Sequence, residues 1–349
     1  MKKVLIGISG GVDSSVAAIL LRDAGFVPVG CTLLLHRHAE KDIADAKAVC
    51  QRLDMEHHVL DLRDKFETLV VSNFIDEYLA GNTPNPCVFC NRHMKFAYML
   101  DFADKLGCQY IATGHYARKA VYNDKAVIQR GKDLSKDQSY VLWSLTHEQV
   151  ERTLFPLADI SKEQVREIAE QYGLVSAQKK DSQDICFVPD GNYAEFIEAK
   201  TGIPAKHGAF VDLNGNTLGE HNGIIRYTIG QRKGLGIALG KPAFVLEKDA
   251  TGNTVTLDTD ESLLFYRRVL VKNTNFHPFE TLTEPIRVSA KLRYRHEAQP
   301  ALLSPTGDGA LIEFDEPQRA PSPGQSAVFY DGDILLGGGI IVKGLKDNE

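Results

Sequence analysis

The sequence has no apolar run long enough to cross a membrane and no leader typical of an exported protein. Lys2 and Lys3 precede a short apolar run, but Gly7 and Ser9 interrupt that run at once. A secretory leader needs an unbroken apolar core, and a spanning helix needs about 20 apolar residues. We therefore expect a cytoplasmic protein without a membrane partner.

Net positive charge is also missing. The 40 Lys and Arg residues are outnumbered by 46 Asp and Glu residues, which gives a formal net charge of −6. This balance argues against the uniformly basic surface of a protein that coats nucleic acids. Any RNA binding must therefore come from local basic patches.

Cysteine is scarce, and its spacing is not that of a secreted disulfide framework. The six cysteines are Cys31, Cys50, Cys87, Cys90, Cys108 and Cys186. The C-x-x-C pair at 87–90 has no second C-x-x-C and no H-x-x-x-H to complete a structural zinc site. Cys31, Cys50 and Cys108 fall inside predicted helices and strands, so we expect them to be buried structural thiols.

Internal repeats and low-complexity segments are absent, so 349 residues predict two or three ordinary domains. Apolar strands alternate with helical segments up to about residue 200, which predicts an α/β domain with a doubly wound parallel sheet. Short strands and turns follow. We predict an N-terminal domain over residues 1–202, a small mostly-β linking domain over 203–266 and a C-terminal β-barrel over 267–349.

Individual elements follow from apolar periodicity and turn residues. We predict strands at 4–8, 26–35, 57–62 and 109–113, helices at 39–53, 65–79, 95–106, 161–172 and 192–200, and a hairpin at 117–131. Two prolines in residues 81–86 are expected to exclude helix there and to bring residues 87–92 to the surface.

What is present begins with the glycine–serine loop (residues 9–15, Ser-Gly-Gly-Val-Asp-Ser-Ser) between the first strand and helix. Gly10 and Gly11 permit a sharp turn with backbone N–H groups near a ligand, and Ser14 and Ser15 add hydroxyl donors, so the loop suits an anion. It has neither the P-loop lysine nor the dinucleotide-binding spacing. A plain connecting turn is the alternative. The loop resembles the pyrophosphate loop of the N-type ATP pyrophosphatases, which implies ATP binding and transfer of AMP.

A second loop, beginning at Gly114 and His115, follows the predicted strand at 109–113. Ligands of open α/β sheets bind outside the carboxyl ends of the strands, so both loops should face one crevice. His115 is equally consistent with a histidine whose hydrogen bonds are satisfied in the core.

Cys87, Cys90 and Cys186 are the candidate reactive thiols. Cys90 precedes a predicted helix start with Arg92 and Lys95, so the helix dipole and these cations should favour its thiolate. Cys186 follows a polar loop that contains Lys179 and Lys180. The spacing of the C-x-x-C pair is consistent with three interpretations. The two cysteines could form a redox pair, they could be half of a metal site, or one could be a nucleophile and the other have no chemical role.

Seven motifs occur in order over nearly the whole chain: the glycine–serine loop, N-P-C-V-F-C-N at 85–91, G-H-Y-A at 114–117, K-D-Q-S-Y at 136–140, D-S-Q-D-I-C-F at 181–187, Y-T-I-G-Q-R-K-G-L-G at 227–236 and S-P-G-Q at 322–325. Together they resemble the tRNA-specific 2-thiouridylases. The resemblance implies a tRNA-uridine 2-sulfurtransferase, which uses ATP to adenylate the C2 oxygen of the wobble uridine (position 34) and replaces that oxygen with sulfur, releasing AMP and pyrophosphate.

The resemblance also implies the site residues. ATP, carrying Mg²⁺ held by Asp13, would contact Gly7, Ile8, Ser9, Gly10, Gly11, Val12, Asp13, Ser14, Leu33 and Gly114. The target base and tRNA would contact Asn85, Pro86, Cys87, His115, Lys136, Asp137, Gln138, Arg293, Tyr294 and Gln325. Two basic segments, residues 223–241 and 287–295, would add phosphate contacts unless they are solvated strand faces.

For sulfur, the resemblance implies a persulfide on Cys186, delivered by a sulfur-carrier protein or a cysteine desulfurase. Cys90 would be the nucleophile, and a Cys90–Cys186 disulfide would remain for a cellular reductant to reopen. The uridine would be extruded from the single-stranded anticodon loop of lysine, glutamate and glutamine tRNAs.

One residue departs from the family pattern. Cys87 stands where part of the family has an aspartate proposed as acid or base, which puts the general base in doubt. Three cysteines then offer an alternative, a [4Fe–4S] cluster on Cys87, Cys90 and Cys186.

Two other function classes explain less of the chain. An amide-forming synthetase for a small molecule explains the glycine–serine loop but gives Cys90, Cys186 and the β half no role. An RNA-binding module without catalysis explains the β half but not the crevice.

Overall fold

The computed structural model describes residues 2–36, 40–174, 185–188 and 190–346. Its N-terminal part contains a five-stranded sheet made of β1 (Lys3–Gly7), β2 (Val27–Leu34), β3 (His57–Asp61), β4 (Tyr110–Ala112) and β7 (Thr153–Leu154). The strand order is β3-β2-β1-β4-β7, and every pair is parallel. Residues 4–6 of β1 have no exposed surface, as expected of a central strand covered on both faces. The predicted α/β parallel sheet is confirmed.

Helices cover both faces of this sheet. The helices of the described residues up to Thr201 are α1 (Val12–Asp23), α2 (Glu40–Arg52), α3 (Arg63–Phe66), α4 (Ser72–Leu79), α5 (Pro86–Cys90), α6 (Ala97–Lys105), α7 (His147–Glu151), α8 (Lys162–Gln171) and α9 (Tyr193–Thr201). α1, α2 and α8 share one apolar core with β1, while α6 contributes to the core on the opposite face. The predicted capping box of Ser161 and Gln164 starts α8, and Gly173 follows its end with a positive φ of 60°.

The helix that carries the C-x-x-C pair begins earlier than predicted. We expected helix only from Lys95, but α5 begins at Pro86 and continues through a π-helical segment (Asn91–Phe96) into α6. A proline at the first helical position loses no hydrogen bond, because that N–H has no intrahelical partner. The Asn85 side chain caps the helix by accepting from the Cys87 N–H at 3.2 Å.

The sheet topology creates a crevice beside β1. β4 lies directly beside β1, with Ile6 opposite Ala112, while β2 lies on the other side of β1. The chain therefore winds in opposite directions from β1, and the loops after β1 and β4 diverge at a topological switch point.

A hairpin of the N-terminal part belongs to the C-terminal sheet. β5 (Ala117–Tyr122) and β6 (Lys125–Arg130) form the predicted hairpin, whose turn residues Asn123 and Asp124 both have positive φ. β6 then pairs with the beginning of the last strand of the chain, at Ile334 and Leu335.

Two β units make up the rest of the described chain. The first is a four-stranded sheet of β8 (Gly208–Val211), β9 (Thr217–His221), β10 (Phe244–Asp249) and β11 (Thr254–Asp258). The second contains β12 (Phe265–Phe276), β13 (Ile286–Lys291), β14 (Gln299–Thr306), β15 (Gly309–Arg319), β16 (Ser326–Asp331) and β17 (Ile334–Leu345). β12 pairs with both β15 and β17, which closes these six strands into the predicted barrel.

Candidate active site

The glycine–serine loop joins the end of β1 to the start of α1. Gly10 has φ +72°, and a Cβ there would lie 2.8 Å from the Asp42 carbonyl oxygen, so the turn requires glycine. Gly11 is the N-cap residue of α1 and supplies no side-chain cap. The first N–H groups of a helix have no intrahelical partner and carry its positive dipole end. The loop therefore has the features of an anion site.

The serine hydroxyls of this loop hydrogen-bond within the loop. Ser15 is fully buried, and its hydroxyl donates to the Gly11 carbonyl oxygen at 2.8 Å. The Ser14 hydroxyl accepts from the Ser9 N–H at 3.2 Å. The prediction that Ser15 offers its hydroxyl to a ligand is wrong, because this hydroxyl stabilises the loop.

Two of the apolar candidates beside the loop have their side chains in the core. Ile8 and Val12 are buried in the core that α1 shares with the sheet, and Leu33 is a half-buried residue of β2. A Cβ at Gly7 would lie 3.3 Å from the Met99 sulfur, so the chain there passes close to α6.

The loops after β1 and β4 meet as the topology predicts. A Cβ at Gly114 would lie 2.8 Å from the Ser14 backbone nitrogen, so the backbones of the two loops are in contact. The Tyr116 hydroxyl donates to the Asp13 carboxylate at 2.6 Å. The two loops therefore lie in contact, as expected, and the crevice that they are expected to face stays a prediction.

His115 fits the core interpretation. Its Nδ1 lies 2.8 Å from the Thr113 hydroxyl, and its ring packs 5.9 Å from the Phe96 ring. Burial and the nearby Lys95 ammonium lower the pKa of His115 to about 3. The imidazole is therefore neutral at physiological pH and offers no positive charge to a phosphate.

Asp13 has a partner that the sequence did not indicate. The Nζ of Lys162, the first residue of α8, lies 2.8 Å from each Asp13 carboxylate oxygen. The residues are 149 positions apart, and the capping box around Lys162 predicted only a helix start. No local sequence signal could have revealed this pair.

The cysteine segment (residues 85–96) places its two thiols differently. Cys87 is exposed, whereas Cys90 is only 5% exposed. The prediction that residues 87–92 lie at the surface is wrong for Val88, Cys90 and Asn91, because the helix beginning at Pro86 turns these side chains inward. The Asn91 side chain donates to the Val141 carbonyl oxygen at 3.0 Å.

The cysteines and Lys95 share one electrostatic environment. Burial raises the pKa of Cys90 to about 12, against the opposing effect of the Lys95 ammonium. Burial alone would lower the pKa of Lys95, but the facing thiols of Cys90, Cys87 and Cys186 raise it. The expected low-pKa thiolate at Cys90 is therefore wrong, because desolvation outweighs the cation.

Cys186 is held beside the cysteine segment by its neighbour. The Phe187 ring packs 5.5 Å from Phe66 and 5.2 Å from Phe74 and joins the apolar cluster that contains Cys90. Cys186 retains exposed surface, and desolvation raises its pKa while Lys95 lowers it. Lys179, Lys180 and residues 181–184 of the predicted motif lie outside the described residues.

Two predicted tRNA residues lie near the crevice. Gln138 accepts the Tyr116 N–H at 3.0 Å, and the carboxylate of Asp137 accepts the Ser139 hydroxyl at 2.8 Å. The Tyr294 hydroxyl, from the barrel, donates to the Asp137 carbonyl oxygen at 3.0 Å, while 41% of Tyr294 remains exposed. Lys136 lines a cavity of about 720 Å³ next to Asp133.

Gln325 and Arg293 connect parts of the chain. Gln325 donates from its side-chain amide to the Thr83 carbonyl oxygen at 2.6 Å, immediately before the cysteine segment. Arg293 Nη2 donates to the Ala320 carbonyl oxygen at 2.8 Å and to the Ile229 carbonyl oxygen at 3.3 Å. In the described state these two side chains bind protein groups.

The two basic segments are partly neutralised. Arg226 pairs with Glu198, and Arg287 pairs with Asp315. Arg232 and Lys241 line a cavity of about 440 Å³ in the glycine-rich segment of the central unit.

Within the described ranges, no three His, Cys, Asp or Glu side chains are arranged to hold a metal ion, and no helix is long and apolar enough to span a membrane.

Family models match three consecutive parts of the chain. Residues 2–190 match the tRNA methyl transferase HUP domain, 195–258 the tRNA methyl transferase PRC-barrel domain and 266–341 the aminomethyltransferase beta-barrel domain. A Clostridium botulinum protein named tRNA-specific 2-thiouridylase is 45% identical over 355 residues, covering 98% of this chain and 99% of the relative. One of the same name from Acetivibrio thermocellus is 46% identical over 357 residues, covering 97% and 99%.

The chain belongs to the tRNA-specific 2-thiouridylase family. Membership confirms the resemblance indicated by the seven motifs. Among solved structures, a 4-thiouridine synthetase–RNA complex with bound ATP aligns over 58% of this chain and 50% of its own, with 20% identity and a TM-score of 0.40. In this 2-thiouridylase chain, contacts run from the glycine–serine loop through Gly114 and His115 to Phe96 in the cysteine segment.

Proposed function

We propose that this protein catalyses the ATP-dependent 2-thiolation of the wobble uridine of tRNA. One observation carries the proposal: an anion-binding helix start and a group of three cysteines border one strand end of the sheet. Gly114 touches Ser14 on one side, and His115 packs against Phe96 on the other. A reaction that first activates an oxygen and then replaces it with sulfur needs both groups at one substrate.

The activating half would be the glycine–serine loop with Leu33 and Gly114. Backbone N–H groups at the start of α1 would bind the polyphosphate of ATP, and adenylation would turn the C2 oxygen of the uridine into the leaving group AMP. Mg²⁺ would come with ATP, and Asp13 is its candidate ligand. Both Asp13 oxygens already contact Lys162, so the carboxylate does not fit a metal in the described arrangement.

The sulfur-supplying half would be Cys90 and Cys186. The terminal sulfur of a Cys186 persulfide would attack C2 and expel AMP. The Cys90 thiolate would then attack the Cys186 Sγ and break the S–S bond, leaving the outer sulfur on the base. A Cys90–Cys186 disulfide results, and an external dithiol reductant returns both thiols.

The [4Fe–4S] cluster on Cys87, Cys90 and Cys186 is a separate proposal about the same cysteines. The described residues do not present a ready ligand set for a cluster. Anaerobic purification followed by absorption and iron analysis tests it. An active, colourless and iron-free protein would eliminate the cluster.

The partners would be tRNA and a persulfide donor. We propose lysine, glutamate and glutamine tRNAs as substrates, and a sulfur-carrier protein or cysteine desulfurase as the donor. The base would enter beside Asn85, Pro86 and Cys87, and the exposed face of Tyr294 would contact the RNA.

We also propose that the chain divides into three domains at residues 202 and 266.

The experiment is thiolation of unmodified tRNA with ATP and a persulfide donor, with 2-thiouridine, AMP and pyrophosphate measured. Cys90→Ser and Cys186→Ser should each abolish 2-thiouridine. Cys108→Ser, which alters a buried thiol outside the cysteine segment, is the matched control and should retain it. Wild-type product in either of the first two variants would contradict the persulfide route, and AMP release without tRNA would favour a small-molecule synthetase.

A further inference from the structure

The contacts of Asp13 differ from those of a carboxylate waiting for a metal ion. Each of its oxygens lies 2.8 Å from Lys162 Nζ, and one also accepts from Tyr116 at 2.6 Å. The Lys162 side chain is only 10% exposed and the Asp13 side chain 32%. A close, largely buried pair with two oxygens engaged is a strong charge-assisted contact.

Lys162 is held firmly at this position. It is the first residue of α8, whose capping box is complete, and its backbone N–H donates to the Asp133 carboxylate at 3.2 Å. Val165 and Ala169 of α8 pack into the core that contains α1. Both ends of the pair therefore sit on helices that share one core.

The glycine–serine loop has no cation of its own. A P-loop places a lysine within the loop to bind phosphates, whereas residues 9–15 contain an aspartate and no lysine. A carboxylate beside a polyphosphate repels it. A cation placed between the two offsets that repulsion, and Lys162 is the ammonium in contact with this carboxylate.

Lys162 also borders open space. It lines the cavity of about 720 Å³ with three other cationic residues, Lys132, Lys136 and Arg166, and with the acidic residues Asp133 and Glu163. Cations outnumber carboxylates in this lining, so an ammonium that leaves Asp13 by rotation of its side chain remains beside a space that favours an anion. Lysine suits such a transfer because its charge sits on a flexible four-carbon stem.

We propose that Lys162 is the phosphate-binding cation of the glycine–serine loop, supplied from α8. Without nucleotide it neutralises Asp13. When ATP binds, its ammonium moves to the polyphosphate and releases the Asp13 carboxylate. This inference rests on the proposed ATP-dependent function, and it assigns to Lys162 the role that a lysine within the loop has in a P-loop.

The test measures ATP affinity by equilibrium dialysis with labelled ATP, with and without Mg²⁺. Lys162→Gln should weaken ATP binding by about 10- to 100-fold, the range for losing one charge-assisted contact, and Lys162→Arg should recover most of it. Lys200→Gln is the matched control, since Lys200 also pairs with a carboxylate, Glu67, but on α9. Thermal melts check that each variant is folded.

Two further variants separate the proposal from its alternatives. Asp13→Asn removes the competing carboxylate and should preserve or strengthen metal-free ATP binding, and in Asp13→Asn/Lys162→Gln the two effects should not add. Arg166→Gln removes another cation of the cavity and should have the smaller effect. Equal losses in Arg166→Gln and Lys162→Gln, or unchanged binding in a folded Lys162→Gln protein, would overturn the proposal. Wild-type protein that binds no ATP would instead refute the proposed function.

Discussion

The two halves of the candidate site, the glycine–serine loop and the cysteine segment, each contain the start of a helix. The two helix starts differ in whether a side chain caps the first backbone N–H groups. α1 begins at Val12 after the N-cap residue Gly11, which supplies no side-chain cap, so no cap side chain competes with a ligand for its first N–H groups. α5 begins after Asn85, whose side chain accepts a hydrogen bond from the Cys87 N–H. That N–H is therefore not available to a ligand, and the exposed group at this helix start is the Cys87 thiol. The cap residue decides whether a helix start offers its backbone or its side chains.

The largest effect should come from Asp13→Ala, which strikes only the activating half. Under the proposal, ATP binding draws Lys162 away and releases the Asp13 carboxylate to act beside the polyphosphate, so loss of that carboxylate should reduce tRNA-dependent adenylation at least about 100-fold. Cys186 should still accept sulfur. Pyrophosphate release and labelled persulfide on Cys186 measure the two halves separately, and simultaneous loss of both in a folded variant would break the comparison.

Gly114→Ala should disturb the contact between the loops after β1 and β4. The new Cβ would lie 2.8 Å from the Ser14 backbone nitrogen, and backbone cannot move aside cheaply. We expect about 10-fold weaker ATP binding, on the scale of one lost charge-assisted hydrogen bond. Gly307→Ala meets no atom within 4 Å and serves as the control. Equal ATP affinity in the two variants would show that the close approach is unimportant.

Lys95→Met should sharpen the electrostatics of the cysteine half. Burial raises the pKa of Cys90 to about 12, so its thiolate fraction and alkylation rate should rise about 10-fold per pH unit from pH 7 to 10. An ordinary thiol levels off above about pH 8.5. Lys95 opposes the effect of burial, so Lys95→Met should slow alkylation of Cys90 at each pH.

Peptide mass spectrometry after iodoacetamide pulses measures this rate in a Cys87→Ser background. Lys105→Met, on the following helix α6, controls for loss of a lysine. A plateau near pH 8.5, or faster alkylation in Lys95→Met, would contradict the assignment.

The smallest effect should come from Asn85→Ala, which removes the cap of the cysteine segment. The Cys87 N–H would lose its partner, which should lower the free energy of unfolding by about 1 kcal/mol in urea titrations. Asn85→Asp keeps a side-chain acceptor for the Cys87 N–H and should therefore retain the free energy of unfolding that Asn85→Ala loses. Ser161→Ala at α8 provides the scale for an ordinary cap. An unchanged midpoint in Asn85→Ala would mean that this cap does not matter.

The glycine–serine loop could be predicted because its signals are local. A strand, two glycines and an amphipathic helix lie within 20 residues, and the meeting with Gly114 follows from the switch point of the sheet. The role of Lys162 could not be predicted, because its contact with Asp13 depends on how α8 packs against α1 and the two residues are 149 positions apart in the sequence.

The cysteine segment differs from its sequence prediction for another reason. The sequence predicts that Pro86 breaks a helix, although the same residue is favourable at the first helical position when Asn85 caps the helix. Moving the helix start from Lys95 to Pro86 turns Cys90 inward, and desolvation then dominates its pKa. The motifs identified the residues of the site, but their protonation states required the burial of each side chain.

The hairpin of β5 and β6 limits how this chain can be divided. By position in the sequence it belongs to the first 202 residues, yet β6 hydrogen-bonds to β17 at Ile334 and Leu335. A fragment that begins near residue 266 would carry the six barrel strands but leave that stretch of β17 as an open edge, and such edges promote aggregation. A barrel intended for transplantation or separate expression should therefore be supplied with residues 117–130, either fused or added in trans.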